Sequence, residues 1–352
     1  MKVIHITATH LNSAGGIPVV LKSLVEEQNK LEKMDAMVVS LNADVSHLNS
    51  RYFVHVNLRE IEDFLKKEKP EIAIIHSFFH LEYSYVAQLL YKNHIKYYIE
   101  PHGSFMKAGM NKSRIKKTIA NATVFRKLIN RAYGYIYLNS GEQQRSLYHT
   151  SNDVIIPNGI SYYKNTPSKS DTIKMYYIGR YDIHEKGIDT LIEALIILDK
   201  LGESFTFDFF GDGSKENIDF IVDRTTGLEN IVVQVHGPIY GDEKDGILSQ
   251  YNISVLLSRH EGLPMTILES WNYGNPCIVT PDTNMANEAQ TGKIGWSVEL
   301  DAEKVAAIMS KAMCDYKINK DRYIERCRKH ICSKYLWRQI AERSYVVLNP
   351  EK

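Results

Sequence analysis

Two series of short apolar runs, each run parted from the next by residues at helical spacing, leave this chain few folds to choose from. The first series reads KVIHIT at 2–7, AMVVSL, EIAIIH, KYYIE, YGYIYLN and DVIIP. The second reads IKMYYIGR, FTFDFFGDG, IVVQVHG, ISVLLS, PCIVT and IGWSV. Runs that are apolar at nearly every position suit strands buried on both faces, and strands alternating with helices suit a parallel sheet covered on each side. The helical stretches include Pro18 to about Lys33, IEDFLKKEK, YVAQLLYKN, IDTLIEALIILDKL and a closing LWRQIAERSYVVL. Between the two series lies YYKNTPSKSD at 162–171, whose polar, Pro- and Ser-containing composition marks a domain boundary. At 352 residues the chain has room for two such domains, the first expected over 1–160 and the second over 161–334.

The charge balance narrows the partners. Lys and Arg total 43 against 42 for Asp and Glu, which leaves no overall field to draw a nucleic acid. Locally the picture differs: from Pro101 to Gly141 there are eight Lys or Arg residues and no Asp or Glu. Ile115, Ile119, Ala122, Phe125 and Ile129 recur there at helical spacing beside those cations, so the basic stretch at 107–131 suits an anionic membrane or a lipid-diphosphate acceptor. A core helix with a solvated face accounts for the same pattern. Cys277, Cys314, Cys327 and Cys332 show neither CxxC nor metal-ligand spacing and read as reduced thiols. The first apolar run is too short for a signal-peptide core and no run reaches the length of a membrane span. A cytoplasmic protein is therefore expected, touching the inner face of the cell membrane only peripherally. Its abundance of Lys, Asn, Ile and Tyr suggests an AT-rich bacterial genome.

Candidate chemistry concentrates in RHEGLPMTILESWNYGNP, residues 259–276. Pro264 suits the first position of a helix, which leaves Glu261 in the preceding loop and Glu269 on the helix flank, away from a core stripe of Ile267, Leu268 and Trp271. A helix start also presents unpaired N–H groups and partial positive charge, both favourable to a phosphate. Upstream, one strand ends at Gly179-Arg180 and the next helix begins at Lys186-Gly187. Two cations at the carboxyl edge of a sheet would meet a phosphate, Arg as a planar fork and Lys as a point charge. In the first series, Gly15-Gly16 follows the first strand and His102-Gly103 follows KYYIE. GxGxxG is absent, which disfavours an NAD-dependent oxidoreductase.

Taken in order, IPNG at 156–159, IGR at 178–180, EKG at 185–187, GDG at 211–213, HG at 236–237, EGLPMTILES and GNPCIV resemble the retaining glycosyltransferases of family 4, with the GT-B fold. The resemblance spans nearly the whole chain. It implies two Rossmann-like domains facing each other across a cleft, with a last helix, 335–352, crossing back to the first. Arg180 and Lys186 would hold the diphosphate of a nucleotide-sugar donor, a UDP-sugar. Glu269 would accept from ribose hydroxyls, while Glu261, with N–H groups around Gly262 and Leu263, would contact the transferred sugar. Gly15 and Gly16 would let the backbone approach the sugar phosphate, and His102 would reach the sugar ring or the reaction centre. Loops at Gly211 and Gly237 would line the nucleotide. No metal and no other cofactor is implied, because fixed cations and helix starts would stabilise the departing diphosphate.

Each assignment has a plainer counterpart. His102 could be a satisfied loop histidine, Gly15-Gly16 a tight turn, and GDG an ordinary strand-to-helix turn. Function divides likewise, between transfer of a hexose or N-acetylhexosamine to a surface-glycan or lipid-linked acceptor and a non-catalytic glycosyltransferase-like partner that only binds glycan. Fold cannot separate these two. If a ligand binds between domains, the linker near Asn158–Asp171 should flex.

Overall fold

The computed structural model describes residues 1–8, 16–42, 44–45, 48, 50–106, 123–165 and 167–349. They form two compact units, Met1–Gly159 with Leu336–Lys352, and Ile160–Tyr335.

In the first unit, seven parallel strands lie in the order β3-β2-β1-β4-β5-β6-β7. They are β1 (Lys2–Thr7), β2 (Asp35–Ser40), β3 (Phe53–His55), β4 (Ile72–His76), β5 (Lys96–Glu100), β6 (Gly134–Tyr137) and β7 (Val154–Ile155). Side chains of a strand alternate between faces, and both faces here are apolar. Ile4, Ile6, Ala73 and Ile75 pack beneath helices Ile61–Glu68 and Leu81–Lys92. Their neighbours Val3, Ile72 and Ile74 pack on the other face, against Val20 and Leu24 of helix Gly16–Gln28 and Trp337, Ile340 and Leu348 of the last helix, Trp337–Leu348. The last helix therefore completes the core of the first unit, as the resemblance implies.

The helix expected from Pro18 to about Lys33 instead spans Gly16–Gln28. Asn29 ends it: its amide nitrogen donates to the carbonyls of Val25 and Ala36 at 2.8 and 2.7 Å, and its amide oxygen accepts from Ala36 N–H, turning the chain into β2. The sequence reading also passed over β3, three residues pairing with β2 at the sheet edge, too short to show a period.

The second unit repeats the plan with six parallel strands in the order β10-β9-β8-β11-β12-β13. These are β8 (Lys174–Ile178), β9 (Phe205–Phe210), β10 (Ile231–His236), β11 (Ile253–Leu256), β12 (Cys277–Val279) and β13 (Gly295–Ser297). Helix Ile188–Lys200 follows β8 and buries Ile188, Leu191, Ile192, Leu195 and Leu198. Helix Ala302–Lys334 bends at Asn319, whose φ of −119° is non-helical and whose side chain bonds back to Asp315. Cys277, Cys314, Cys327 and Cys332 are all free thiols. Among the described residues no helix is long and apolar enough to cross a membrane.

The C-terminal end of that bent helix is tied down by one carboxylate. Glu288, on helix Ala286–Thr291, accepts from His330 Nε2 at 2.6 Å, Tyr335 Oη at 2.7 Å and Lys334 Nζ at 3.2 Å. Burial opposes its ionisation, but the bonds from His330 and Tyr335, with the charges of His330 and Lys334, prevail and hold its carboxyl down to about 2. A carboxyl lower in the folded than in the unfolded chain contributes stability that is full above the unfolded value of about 4.5 and fades as pH falls through about 2. At about 1.4 kcal/mol per unit this is on the order of 3 kcal/mol. Glu288→Gln is expected to lower the unfolding midpoint at neutral pH and to flatten the acid-side loss of stability, as followed by circular dichroism from pH 7 to pH 2. An unchanged acid profile would refute the assignment.

Candidate functional site

Parallel sheets present ligand sites where neighbouring strands send their chains to opposite sides. In the second unit that point lies between β8 and β11, adjacent in the sheet although β9 and β10 intervene in sequence. The loop after β8 carries Arg180 and Lys186, and the loop after β11 carries Glu261. There Lys186 Nζ meets Glu261 Oε1 at 2.6 Å, with both side chains 15% exposed. Ser258 donates to the same oxygen at 2.7 Å. Two residues chosen from distant motifs thus form one ion pair. Arg180 is exposed, and among the described residues its guanidinium forms no ion pair.

Backbone geometry explains how these loops come so close. Gly187 has φ +69°, and a Cβ on it would lie 2.2 Å from the Leu257 carbonyl oxygen, so only glycine lets the loop after β8 pass β11. Arg259 clamps the same junction. Its guanidinium donates to both oxygens of Asp189 at 2.9 Å and to the His184 carbonyl, and its backbone N–H donates to Glu185. From the far side Asn284, itself left-handed at φ +62°, donates to the carbonyls of Glu261 and Gly262 at 2.6 and 3.2 Å. His260, beside them, has its imidazole pushed down by burial.

Helix Met265–Asn272 buries Ile267, Leu268 and Trp271 as its period predicts. Pro264 precedes this helix as its cap instead of opening it, because its ψ of 108° is extended. Leu263 is buried and Glu269 sits on the flank, 21% exposed, where Lys244 from helix Gly241–Leu248 bonds it at 2.6 Å. Lys244 escaped the sequence reading, since nothing in GDEKDGIL singles it out before the helices are placed.

The glycines separate by cause. A Cβ on Gly211 would meet the Gly179 carbonyl oxygen at 1.8 Å, so packing alone accounts for glycine there, whereas Gly237 faces open space. Next to Gly237, His236 stacks on Phe210 with centroids 4.7 Å apart and bonds Asp208 at 2.8 Å. Tyr251 donates to the other Asp208 oxygen at 2.7 Å. The sequence shows His236 only within HG at 236–237, since Asp208 and Phe210 come from β9 and Tyr251 from the loop before β11.

In the first unit the switch point falls between β1 and β4. Gly16 opens the helix after β1, while Gly15 and most of the basic stretch, 107–122, lie outside the described residues. His102 follows β5 in a left-handed conformation, φ +48°, and its ring lies against His76 with centroids 5.4 Å apart. Its Nε2 is 3.2 Å from His76 Nδ1 and 3.6 Å from Glu100 Oε1. Burial, with the nearby Glu142 charge, pushes the Glu100 carboxyl up to about 8. His76 in turn bonds His5, whose complete burial pushes its imidazole down to about 4.

Gly187→Ala should destabilise the second unit by roughly 1–3 kcal/mol, the usual cost of a strained left-handed residue with a close contact. Urea unfolding checks this, and a loss below about 0.5 kcal/mol would show that the loops can part without cost.

Residues 172–315 match the family model described as glycosyl transferases group 1. No curated protein matches the chain in sequence. Among solved structures, the apo form of the lipopolysaccharide outer core galactosyltransferase WaaB superposes with a TM-score of 0.73 at 15% identity, covering 100% of both chains. A glycosyltransferase from Rickettsia africae gives 0.75 at 15% identity, with 99% of each chain covered. The Anabaena protein HepE, in complex with UDP and glucose, gives 0.73 at 11% identity over 99% of this chain and 100% of its own. With two Rossmann-like units and these neighbours the chain has the GT-B fold, and residues 172–315 are the part that matches the group 1 glycosyltransferase model.

Proposed function

We propose that the chain transfers a hexose or N-acetylhexosamine from a nucleotide sugar, a UDP-sugar, to a surface-glycan or lipid-linked acceptor, with retention at the anomeric carbon. The observation that carries the proposal is the meeting of Lys186 and Glu261 at the switch point of a group 1 glycosyltransferase domain. HepE has been solved with UDP, with UDP-glucose, and with UDP and glucose, which favours a UDP donor.

Cleavage of a sugar–phosphate bond builds negative charge on the departing diphosphate. Lys186 and Arg180, both on the loop after β8, would meet that charge, and fixed cations stabilise it without reorganising as it forms. The Lys186 ammonium, now shared with Glu261 and Ser258, turns to the phosphate, and Glu261 turns to hydroxyls of the transferred sugar with the N–H groups around Gly262 and Leu263. Glu269 releases Lys244 and accepts from the ribose. Gly15 and Gly16 admit the sugar phosphate to the first unit's backbone, and the loops at Gly211 and Gly237 line the nucleotide. A phosphate leaving group needs no protonation by a carboxylic acid, so the two glutamates are not the acid and base of a glycosidase. The acceptor hydroxyl attacks from the face the diphosphate leaves and passes its proton to the leaving phosphate oxygen. With cations already in place, the diphosphate needs no divalent metal. His102, in the first unit, is the residue that the resemblance assigns to the sugar ring or the reaction centre. The protein works in the cytoplasm, and the basic stretch at 107–131 brings it to an anionic membrane where a lipid-linked acceptor would reside.

Release of UDP from donor should fall by about a hundredfold or more in Lys186→Ala, the range for losing one preorganised charge donor. Glu269→Ala should weaken UDP binding by about tenfold, as expected for a lost hydrogen bond to a charged acceptor, when titrated calorimetrically. Full activity in Lys186→Ala would end the reading, and an inverted anomeric centre in the product NMR spectrum would end the retaining mechanism.

A further inference from the structure

We propose that His76, Glu100 and His102 in the first unit form a binding site for a transition-metal dication, with zinc the best match. Among the described residues this is the one group of His, Cys, Asp or Glu side chains whose ligand atoms all converge within 4.8 Å. The separations have the right scale. Two donors on a tetrahedral ion with bonds of about 2.0–2.1 Å stand about 3.3–3.4 Å apart. His76 Nδ1 and His102 Nε2 are 3.2 Å apart, and each lies near a different oxygen of Glu100, Oε2 at 3.4 Å and Oε1 at 3.6 Å, so a turn of the carboxylate brings one oxygen to the ion. Two imidazoles and one carboxylate are a donor set suited to zinc, and three protein ligands leave the fourth position to water or another oxygen.

The surroundings fix which nitrogen of His76 carries its lone pair. Ser344 gives its hydroxyl proton to the Ala341 carbonyl at 2.7 Å, so its oxygen accepts from the Gln28 amide nitrogen at 3.1 Å. The Gln28 amide oxygen then faces His5 Nε2 at 3.0 Å and accepts its proton. A neutral His5, 1% exposed, is left with an accepting Nδ1, which takes the Nε2 proton of His76 at 2.9 Å. In neutral His76 this puts the lone pair on Nδ1, directed at Glu100 and His102. Ligating histidines commonly hold their second ring nitrogen in such an outer bond, which sets both tautomer and ring angle. Here that bond runs through His5 and Gln28 to the last helix of the chain.

Charge favours the same occupant. Glu100 is 6% exposed, and a second carboxylate of the first unit, Glu142, is fully buried. Glu142 is bonded by the N–H groups of Gly103 and Leu138 at 2.5 and 2.7 Å. A dication between the two imidazoles and Glu100 would take the carboxylate form of Glu100 as its ligand, and pin the left-handed His102-Gly103 turn.

The test is a titration of the chelator-treated full chain with Co²⁺ and Zn²⁺. One equivalent of Co²⁺ should give the intense visible d–d bands of a four- or five-coordinate ion, displaced by one equivalent of Zn²⁺. Glu100→Gln keeps the shape of the side chain, and His102→Asn tolerates the left-handed backbone. Each should bind Zn²⁺ at least about tenfold more weakly, taking outer-shell losses as the lower bound. Zinc should raise the unfolding midpoint of the parent chain and leave that of the two variants unmoved. A Co²⁺ spectrum like that of the hydrated ion, or equal Zn²⁺ affinity in parent and folded variants, would overturn the proposal. The parent spectrum decides by itself if neither variant folds. Because the titration reads neither UDP binding nor turnover, its failure leaves the transfer reading intact.

Discussion

One ammonium–carboxylate contact organises the second unit's candidate site. Lys186 and Glu261 are 75 positions apart and meet at 2.6 Å, joined by the Ser258 hydroxyl. A pair this sheltered is a weak source of net stability, because desolvation offsets much of the attraction, but removing one member leaves the other uncompensated. The pair therefore specifies an arrangement more than it strengthens one. Its surroundings act to the same end: glycine at 187 removes the atom that would hold the loops apart, and Arg259 and Asn284 fix the two backbones from opposite sides. Without this scaffold the ammonium and the carboxylate would each find water.

Both units follow one construction rule with different side chains. Each places its polar groups where strand order reverses, β8 beside β11 in one and β1 beside β4 in the other. The second unit fills that point with cations and carboxylates, close to solvent. The first fills it with histidines and a buried glutamate, reaching inward through Gln28 to Ser344 on the returning helix. That helix thus contributes more than apolar cover, since its serine ends the chain of bonds that orients His76.

Much of this was legible in the sequence, for identifiable reasons. KVIHIT appears as β1 with its stated boundaries, because Ile4 and Ile6 on one face and Val3 on the other leave little ambiguity. The core stripe of Ile267, Leu268 and Trp271 follows from helical spacing alone. What stayed hidden depends on distance in space. Lys244 and Glu269 belong to separate helices, and no local pattern pairs them. Arg259 stood inside the chosen motif without a role, since its partner Asp189 lies 70 positions away. Nothing in KVIHIT gives His5 a partner, and only the register of β1 with β4 brings it to His76. The three residues of β3 were missed for lack of length, a strand that exists because β2 offers it an edge.

The charge pairing has a consequence for how a diphosphate donor would be taken up. Lys186 and Lys244 each already hold a carboxylate, at 2.6 Å in both cases, so neither ammonium is an unscreened attractor for an incoming anion. Donor binding on the transfer reading is then an exchange of partners. Lys186 trades a carboxylate for a phosphate while Glu261 trades an ammonium for sugar hydroxyls, and Glu269 does the same with ribose. Such an exchange keeps each charge solvated by the protein before and after, so its electrostatic gain is modest and depends on the donor offering hydroxyls as well as phosphates. Inorganic diphosphate supplies only half of that exchange and strands both glutamates without hydrogen-bond donors. Discrimination in favour of a complete nucleotide sugar follows from the pairing itself, because a ligand lacking either half leaves a sheltered charge uncompensated.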